Sequence, residues 1–186
     1  MANTYNFNDQ LKMSYGILSS GNIDTILLAN ILGAMTVSRA SLAEDKQGTD
    51  WWVKCYSGQA ISVDCKARSK DYSLQGQDDL ALETWSVVEQ QKVGWTRDKN
   101  KRTDYILWFW NDTKRWCLIP FQMLCATFNE KWRQWCTEYR SARQYTKTDY
   151  GGYHSECVFV PRAVVWVEII QHYGSQPKAS EQLPLV

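Results

Sequence analysis

The alternation of apolar and polar residues is clearest between positions 48 and 68. Over residues 61–68, apolar side chains alternate with Ser62, Asp64, Lys66 and Arg68. Successive side chains of a strand point to opposite faces. This stretch therefore predicts a strand with one apolar face and one face that carries a carboxylate and an ammonium group.

The same pattern, read along the whole chain, predicts the other elements. An apolar spacing of threes and fours over residues 23–35, after Asn22 as N-cap, favours a helix. Residues 48–68 read as two strands joined by a turn, residues 79–88 as a third strand, and residues 105–110, apolar on both faces, as a central strand. Residues 115–120 predict a returning strand, residues 121–145 a long helix with an aromatic stripe, and residues 156–170 one or two closing strands. This order predicts an α/β fold with a mixed central sheet flanked by helices.

Length and composition bound the class of protein. The chain of 186 residues suits one domain, which we place at residues 1–174, with a polar tail over 175–186 expected to be disordered. A net charge near +1 means that any affinity for nucleic acid must come from a local patch. No charged-then-apolar leader and no long apolar run is visible, and the six cysteines form no CxxC pair. We therefore expect a soluble cytoplasmic protein with reduced thiols and no membrane contact.

Two carboxylates and a lysine are predicted to meet at the hairpin. Asp50 lies at the start of the first strand, and Asp64 and Lys66 lie on the second. A tight hairpin brings the side chains of its two strands within reach of each other. Carboxylate oxygens are the ligands that Mg²⁺ prefers, so this arrangement predicts a magnesium site.

An acid, a spacer hairpin and an acid-x-Lys triplet resemble the PD-(D/E)XK nuclease superfamily. The matching positions are Asp50, Asp64 and Lys66, with Thr49 where the family pattern has proline. The similarity covers roughly residues 20–120, the later part by the layout of elements alone. It implies a restriction-endonuclease-like αβα core and a nuclease that cuts phosphodiester bonds, with DNA as the expected substrate.

The resemblance also implies the roles of the residues. Asp50, Asp64 and the backbone carbonyl of Cys65 would hold Mg²⁺ or Mn²⁺, and Lys66 would orient or help deprotonate the attacking water. Many members of the superfamily pair to cut both strands, so the resemblance is compatible with a homodimer.

Two further acids have open roles. Asp24 either complements the dipole of the first helix or adds a carboxylate to the metal site, as the first helix does in many members of the superfamily. Glu83, alone in the middle of its strand, either supports the active site or binds a lysine structurally.

The most basic stretch, residues 89–104, is either a solvated connection or a loop that grips phosphates. In the second interpretation Trp95 stacks on bases. The nucleic-acid-binding residues would then be Lys92, Trp95, Arg97, Lys99, Lys101 and Arg102.

Two other classes of function stay open. A protein with the same fold could bind nucleic acid or a protein without cutting. Alternatively, the ten tryptophans and ten tyrosines could form the surface for a protein partner.

Overall fold

The computed structural model describes residues 4–6, 12–13, 16–18, 21–148 and 151–174. The strands in chain order are β1 (Thr4–Asn6), β2 (Ala34–Arg39), β3 (Trp51–Cys55), β4 (Ala60–Arg68), β5 (Asp79–Val87), β6 (Lys92–Val93), β7 (Tyr105–Trp110), β8 (Trp116–Pro120), β9 (Ser141–Thr148) and β10 (Gly151–Pro161). The helices are α1 (Ile23–Asn30), α2 (Leu42–Asp45), α3 (Phe121–Glu138) and α4 (Arg162–Gly174). The expected disordered tail at 175–186 lies outside the described residues.

The described strands form two five-stranded sheets. Sheet I has the order β2-β3-β4-β7-β8, and sheet II has the order β1-β9-β10-β5-β6. Each sheet contains one parallel pair, β4 with β7 and β1 with β9, among antiparallel neighbours. The predicted α/β class with mixed sheets is confirmed, whereas the single central sheet is replaced by two.

The hairpin at the centre of the sequence prediction forms as expected. Trp51 pairs with Val63 in antiparallel register, and the alternate apolar side chains of both strands are buried together with Leu27 of α1. Strand β7 then pairs with β4 and is apolar on both faces, because Leu107 and Phe109 join this same core. Its intervening residues Ile106, Trp108 and Trp110 contribute to a second core.

The second core joins α3 and α4 to both sheets. Its fully buried members include Leu82 of β5, Phe128 of α3, Val158 of β10 and Val165 of α4. Of the ten tryptophans, all of which the structure describes, Trp116 alone is more than a third exposed. The aromatic residues therefore serve mainly as core, and a partner surface built from tryptophan has no support here.

The first predicted helix is corrected at both of its ends. The first helix stops at Asn30 rather than 35, because Ile31 is extended and Gly33 adopts a left-handed φ of 73° that turns the chain into β2. Asn22 precedes this helix in a left-handed conformation and makes no side-chain cap. Residues 38–47 contain the end of β2 and the short helix α2, whose Ser41 and Glu44 form a capping box.

The long helix and the closing strands also differ from the prediction. Helix α3 ends at Glu138 rather than 145, since Tyr139 is extended and β9 pairs with β10. Residues 162–170, predicted as part of the closing strands, belong to α4 instead. Val165 and Ile169, four residues apart, are both buried against the second core, and one buried helical face outweighs the local preference for strand.

A network of ion pairs joins the two sheets. It lies beyond the end of β4 that is opposite the turn between β3 and β4. Asp71, whose side chain is 1% exposed, accepts hydrogen bonds from Arg115 Nε at 2.7 Å and Nη2 at 2.9 Å. Arg115 also binds Asp78 at 2.8 Å, and Asp78 binds Arg162 at the start of α4. Burial alone would raise the pKa of Asp71, but the Arg115 and Ser73 hydrogen bonds hold it below its usual range.

We expect Asp71→Ala to lower the free energy of unfolding by roughly 2–4 kcal/mol, because a charged partner of a largely buried network is removed. Urea unfolding followed by tryptophan fluorescence would measure the loss. The control is Glu130→Ala, which breaks the more exposed pair with His172 and should change stability little. Equal losses in both variants would show that the network does not stabilise the junction.

Candidate active site

The register of the hairpin brings the two predicted carboxylates together. Because Trp51 pairs with Val63, Asp50 stands opposite Asp64, and the Asp50 amide extends the ladder by donating to the Val63 carbonyl at 2.9 Å. The Asp50 side chain turns back onto the next residue of β4, where its Oδ2 accepts the Cys65 amide at 2.6 Å. The predicted convergence of Asp50, Asp64 and Lys66 is therefore present.

Asp64 is more enclosed than a residue on an open strand face. It is 4% exposed, and two ammonium groups contact its carboxylate. Lys66 Nζ lies 3.0 Å from Oδ1 and 2.9 Å from Oδ2, and Lys101 Nζ lies 2.6 Å from Oδ2. Burial would raise the pKa of Asp64, but the two lysines lower it, so this carboxyl is held in its charged form.

The pKa of Asp50 moves in the opposite direction. Burial, and next the negative charge of Asp64 beside it, raise the pKa of Asp50 to about 7. The Cys65 amide and Lys66 oppose this rise without cancelling it. Two neighbouring carboxyls with opposite shifts are a common feature of catalytic sites.

The two lysines also differ from each other. Burial would lower the pKa of Lys66, but the carboxylates of Asp64, Asp50 and Glu83 raise it above its usual value. Burial lowers the pKa of Lys101 more than Asp64 raises it, and the charge of Lys66 lowers it further. Lys66 is thus the more firmly charged of the two.

These side chains face a cleft of about 640 Å³ that sheet II helps to close. Glu83 of β5 lines it, and Glu83 Oε2 accepts the amide of Trp95 at 2.9 Å. Burial raises the pKa of Glu83. Glu83 therefore holds the basic stretch against β5, and its charge also acts on Lys66.

The basic stretch divides into residues at the cleft and residues away from it. Lys92, Trp95, Lys101 and Arg102 line the cleft. Lys99 is exposed and is not part of the lining. Only the first group is placed where a ligand in this cleft could touch it.

Two residues of the basic stretch, Arg97 and Trp95, are fixed by aromatic contacts. The guanidinium of Arg97 lies 4.0 Å from the ring centre of Trp132 and its Nη1 donates to the Thr84 carbonyl at 3.1 Å. Trp95 packs on Trp108 and Phe121, with ring centres 5.8 and 6.4 Å away. Trp95 is therefore part of the wall of the cleft.

Asp24 lies outside this cleft. Its Oδ1 accepts the indole N–H of Trp51 at 2.8 Å, and it lines a separate cavity with Arg39. The contact ties α1 to β3. Asp24 also lies in the first turn of α1, the position that the interpretation as a partner of the helix dipole requires.

Lys101 makes a contact with Asp64 that the sequence did not predict. It was expected among the cations that grip phosphates, but its ammonium neutralises Asp64 from 37 positions away. Gly48 makes this approach feasible, because its backbone has a left-handed φ of 93° and a side chain there would collide with the Lys101 ammonium. In the sequence, this glycine lies two residues before the first acid.

A magnesium or manganese ion is compatible with these residues in part. Among the described residues no group of three or more His, Cys, Asp or Glu side chains is arranged to hold a metal. Asp50 and Asp64 supply two carboxylates, so further ligands would have to be backbone oxygens, such as the Cys65 carbonyl, and water. The pKa of Asp50 is raised by burial and by repulsion from the carboxylate of Asp64, and a bound cation would relieve this repulsion. The ammonium of Lys101 would compete with the cation for Asp64.

The chain matches no protein-family model, no curated protein and no solved structure in comparisons with known proteins. No helix in the described part of the chain is long and apolar enough to cross a membrane. The chemistry of the site therefore rests on its own residues and their geometry.

Asp50→Asn should stabilise the protein at pH 8 without divalent cations, by roughly 1–3 kcal/mol, because one pKa unit corresponds to about 1.4 kcal/mol. The folded-state pKa is raised from 3.8 to about 7, so the wild-type chain loses stability as pH rises through this window. The gain should disappear toward pH 4. Thermal unfolding in EDTA across this range tests it, and a variant less stable than wild type at pH 8 contradicts it.

Proposed function

We propose that this chain is a metal-dependent nuclease that hydrolyses phosphodiester bonds in nucleic acid, with DNA as the first substrate to test. The observation that carries the proposal is the meeting of Asp50, Asp64 and Lys66 at one wall of an open cleft. The helix α1 before the hairpin and the mixed sheet around it support a restriction-endonuclease-like core for this part of the chain.

The residues of the chain divide the work of hydrolysis between them. When bound, Mg²⁺ or Mn²⁺ would lower the pKa of a water molecule and neutralise charge at the phosphate. Asp50 and Asp64 would hold the ion, together with the Cys65 carbonyl. Lys66, at 3.0 Å from Asp64 Oδ1, would orient the attacking water and offset negative charge on the phosphate.

The remaining lining residues would bind the substrate. Lys92 and Arg102 add positive charge at the mouth of the cleft, where phosphate groups of a strand would be attracted. Trp95 is partly exposed in the same cleft. Its ring centre lies 4.8 Å from the ammonium of Lys66.

A second candidate is a nucleic-acid-binding protein that does not cut. The specific observation in its favour is that lysines contact both oxygens of Asp64. In this arrangement the charge of Asp64 is compensated by Lys66 and Lys101 without a metal ion. The three side chains could then serve only to attach the hairpin to the basic stretch. The two candidates differ in whether a divalent cation binds.

We expect Asp64→Asn to reduce Mg²⁺- or Mn²⁺-dependent cleavage of plasmid and single-stranded DNA by at least about 100-fold, since a metal ligand is lost. The matched control is Asp24→Asn, which changes an acid outside the cleft and should still cut. EDTA should stop the wild-type reaction. Because Asp64 is buried between two lysines, circular dichroism must verify that Asp64→Asn is folded. Cleavage by folded Asp64→Asn at the wild-type rate would refute the assignment.

Lys101→Met should tighten Mn²⁺ binding by about tenfold or more, because it removes an ammonium group that competes for Asp64 Oδ2. Electron paramagnetic resonance of free Mn²⁺ measures this affinity without any substrate. Lys99→Met, a nearby exposed cation outside the cleft lining, should leave it unchanged. If neither wild type nor Lys101→Met binds Mn²⁺, the non-cutting candidate is favoured.

A further inference from the structure

A second cleft, which we call the arginine cleft, lies further along the strands that carry the candidate active site. It has a volume of about 450 Å³. Its lining includes Arg68, Lys70, Tyr72, Asp79, Arg140 and Phe159. None of these residues has a role in the proposed hydrolysis.

The two clefts share the same strand faces. On β4, Asp64 and Lys66 line the active-site cleft, and Arg68, two residues beyond Lys66 on the same face, lines the arginine cleft. On β5, Glu83 lines the first and Ala81 the second. At about 3.3 Å per strand residue, Arg68 lies about 13 Å from Asp64 along β4.

A residue between the clefts confirms that they are neighbours. Cys157 of β10 pairs with Glu83, and Phe159 pairs with Ala81. Burial raises the pKa of Cys157 to about 12, and the charges that act on it include Glu83 and Lys66 from one cleft, Arg68 from the other, and Glu156 beside it in the sequence. The thiol is therefore within electrostatic range of both clefts.

The lining of the arginine cleft has the composition of a site for a strand of nucleic acid. Three cations, Arg68, Lys70 and Arg140, face one acid, Asp79. Burial raises the pKa of Asp79, against the opposing effect of Arg140 and Arg68. Arg68, Lys70 and Arg140 are all exposed and can reach a ligand.

Aromatic rings lie among these cations. The Arg140 guanidinium lies 3.8 Å from the ring centre of Phe159, which fixes its position. Lys70 Nζ lies 5.8 Å from the ring centre of Tyr72, and that ring is 45% exposed. Cations that follow a backbone, interleaved with an exposed ring on which a base can stack, are the usual means of holding single-stranded nucleic acid.

We propose that the arginine cleft binds the phosphate backbone of a single strand, with a base on Tyr72, and so extends the substrate path from the candidate active site. The proposal rests on the proposed function for the identity of the strand as substrate. Arg68 and Arg140 bind phosphates of this strand. The length of β4 between Asp64 and Arg68 determines how far the phosphate on Arg68 lies from the bond to be cut.

The proposal is tested by measuring the affinity for labelled oligodeoxythymidylates of about 4 to about 16 nucleotides by fluorescence anisotropy. The buffer contains EDTA so that nothing is cut. Arg68→Gln and Arg140→Gln should each weaken binding and reduce the slope of log affinity against log salt by about 0.7, the value for one lost contact to a single strand. Tyr72→Ala should weaken binding with an unchanged slope. Lys54→Gln, an exposed cation of β3 in neither cleft, is the control.

The outcomes separate this inference from the proposed function. Wild-type affinity and slope in folded Arg68→Gln and Arg140→Gln overturn it, even if the protein cuts DNA. A reduced slope in both variants supports it, even if no cleavage is found with any metal. Because Arg140 packs on Phe159, Arg140→Lys is a second variant, which should restore the slope. Calorimetry with inorganic phosphate provides a further test. If Arg68→Gln weakens phosphate binding but leaves oligonucleotide affinity unchanged, the cleft is a small-anion site and the proposal is overturned.

Discussion

The burial of one carboxylate, Asp64, is the constraint around which the rest of the site is built. A charge that is 4% exposed is costly unless partners with good geometry compensate it. Lys66 provides the first partner from the same strand. Lys101 provides the second from the basic stretch, so that stretch has to fold over the hairpin, and Gly48 has to leave space for the ammonium. The charge of one side chain thereby determines the course of a distant segment.

The junction of the two sheets supplies the other wall of the cleft. Glu83 accepts the amide of Trp95, and Gly94 lies so close to the Glu83 carbonyl that any side chain at this position would collide with it. Trp95 is then packed against the core ring of Trp108. The basic stretch is consequently attached both to β4, through Lys101, and to β5, through Trp95. Its lining residues have defined positions relative to Asp50 and Asp64.

The hairpin could be predicted from the sequence because its signal is local: the alternation over residues 61–68 fixes which side chains share a face, and the register of a short hairpin follows. The contact of Lys101 could not be predicted, since 37 residues separate it from Asp64 and tertiary packing alone brings them together. The same limit explains α4, where buried Val165 and Ile169 outweigh a local preference for strand. Arg140, expected on the long helix, instead follows its end and reaches Phe159.

The balance of charge at Asp64 decides which chemistry the cleft can carry out. Its Oδ2 is already 2.6 Å from Lys101 and 2.9 Å from Lys66, and one oxygen cannot keep both ammonium contacts while it also binds a divalent cation. A nuclease would therefore require the Lys101 ammonium to withdraw, and a phosphate of the substrate is a suitable new partner for it. A protein that only binds would keep the triad intact. Burial lowers the pKa of Lys101, whereas the neighbouring carboxylates keep that of Lys66 raised, so the charge of Lys101 is the less stabilised of the two.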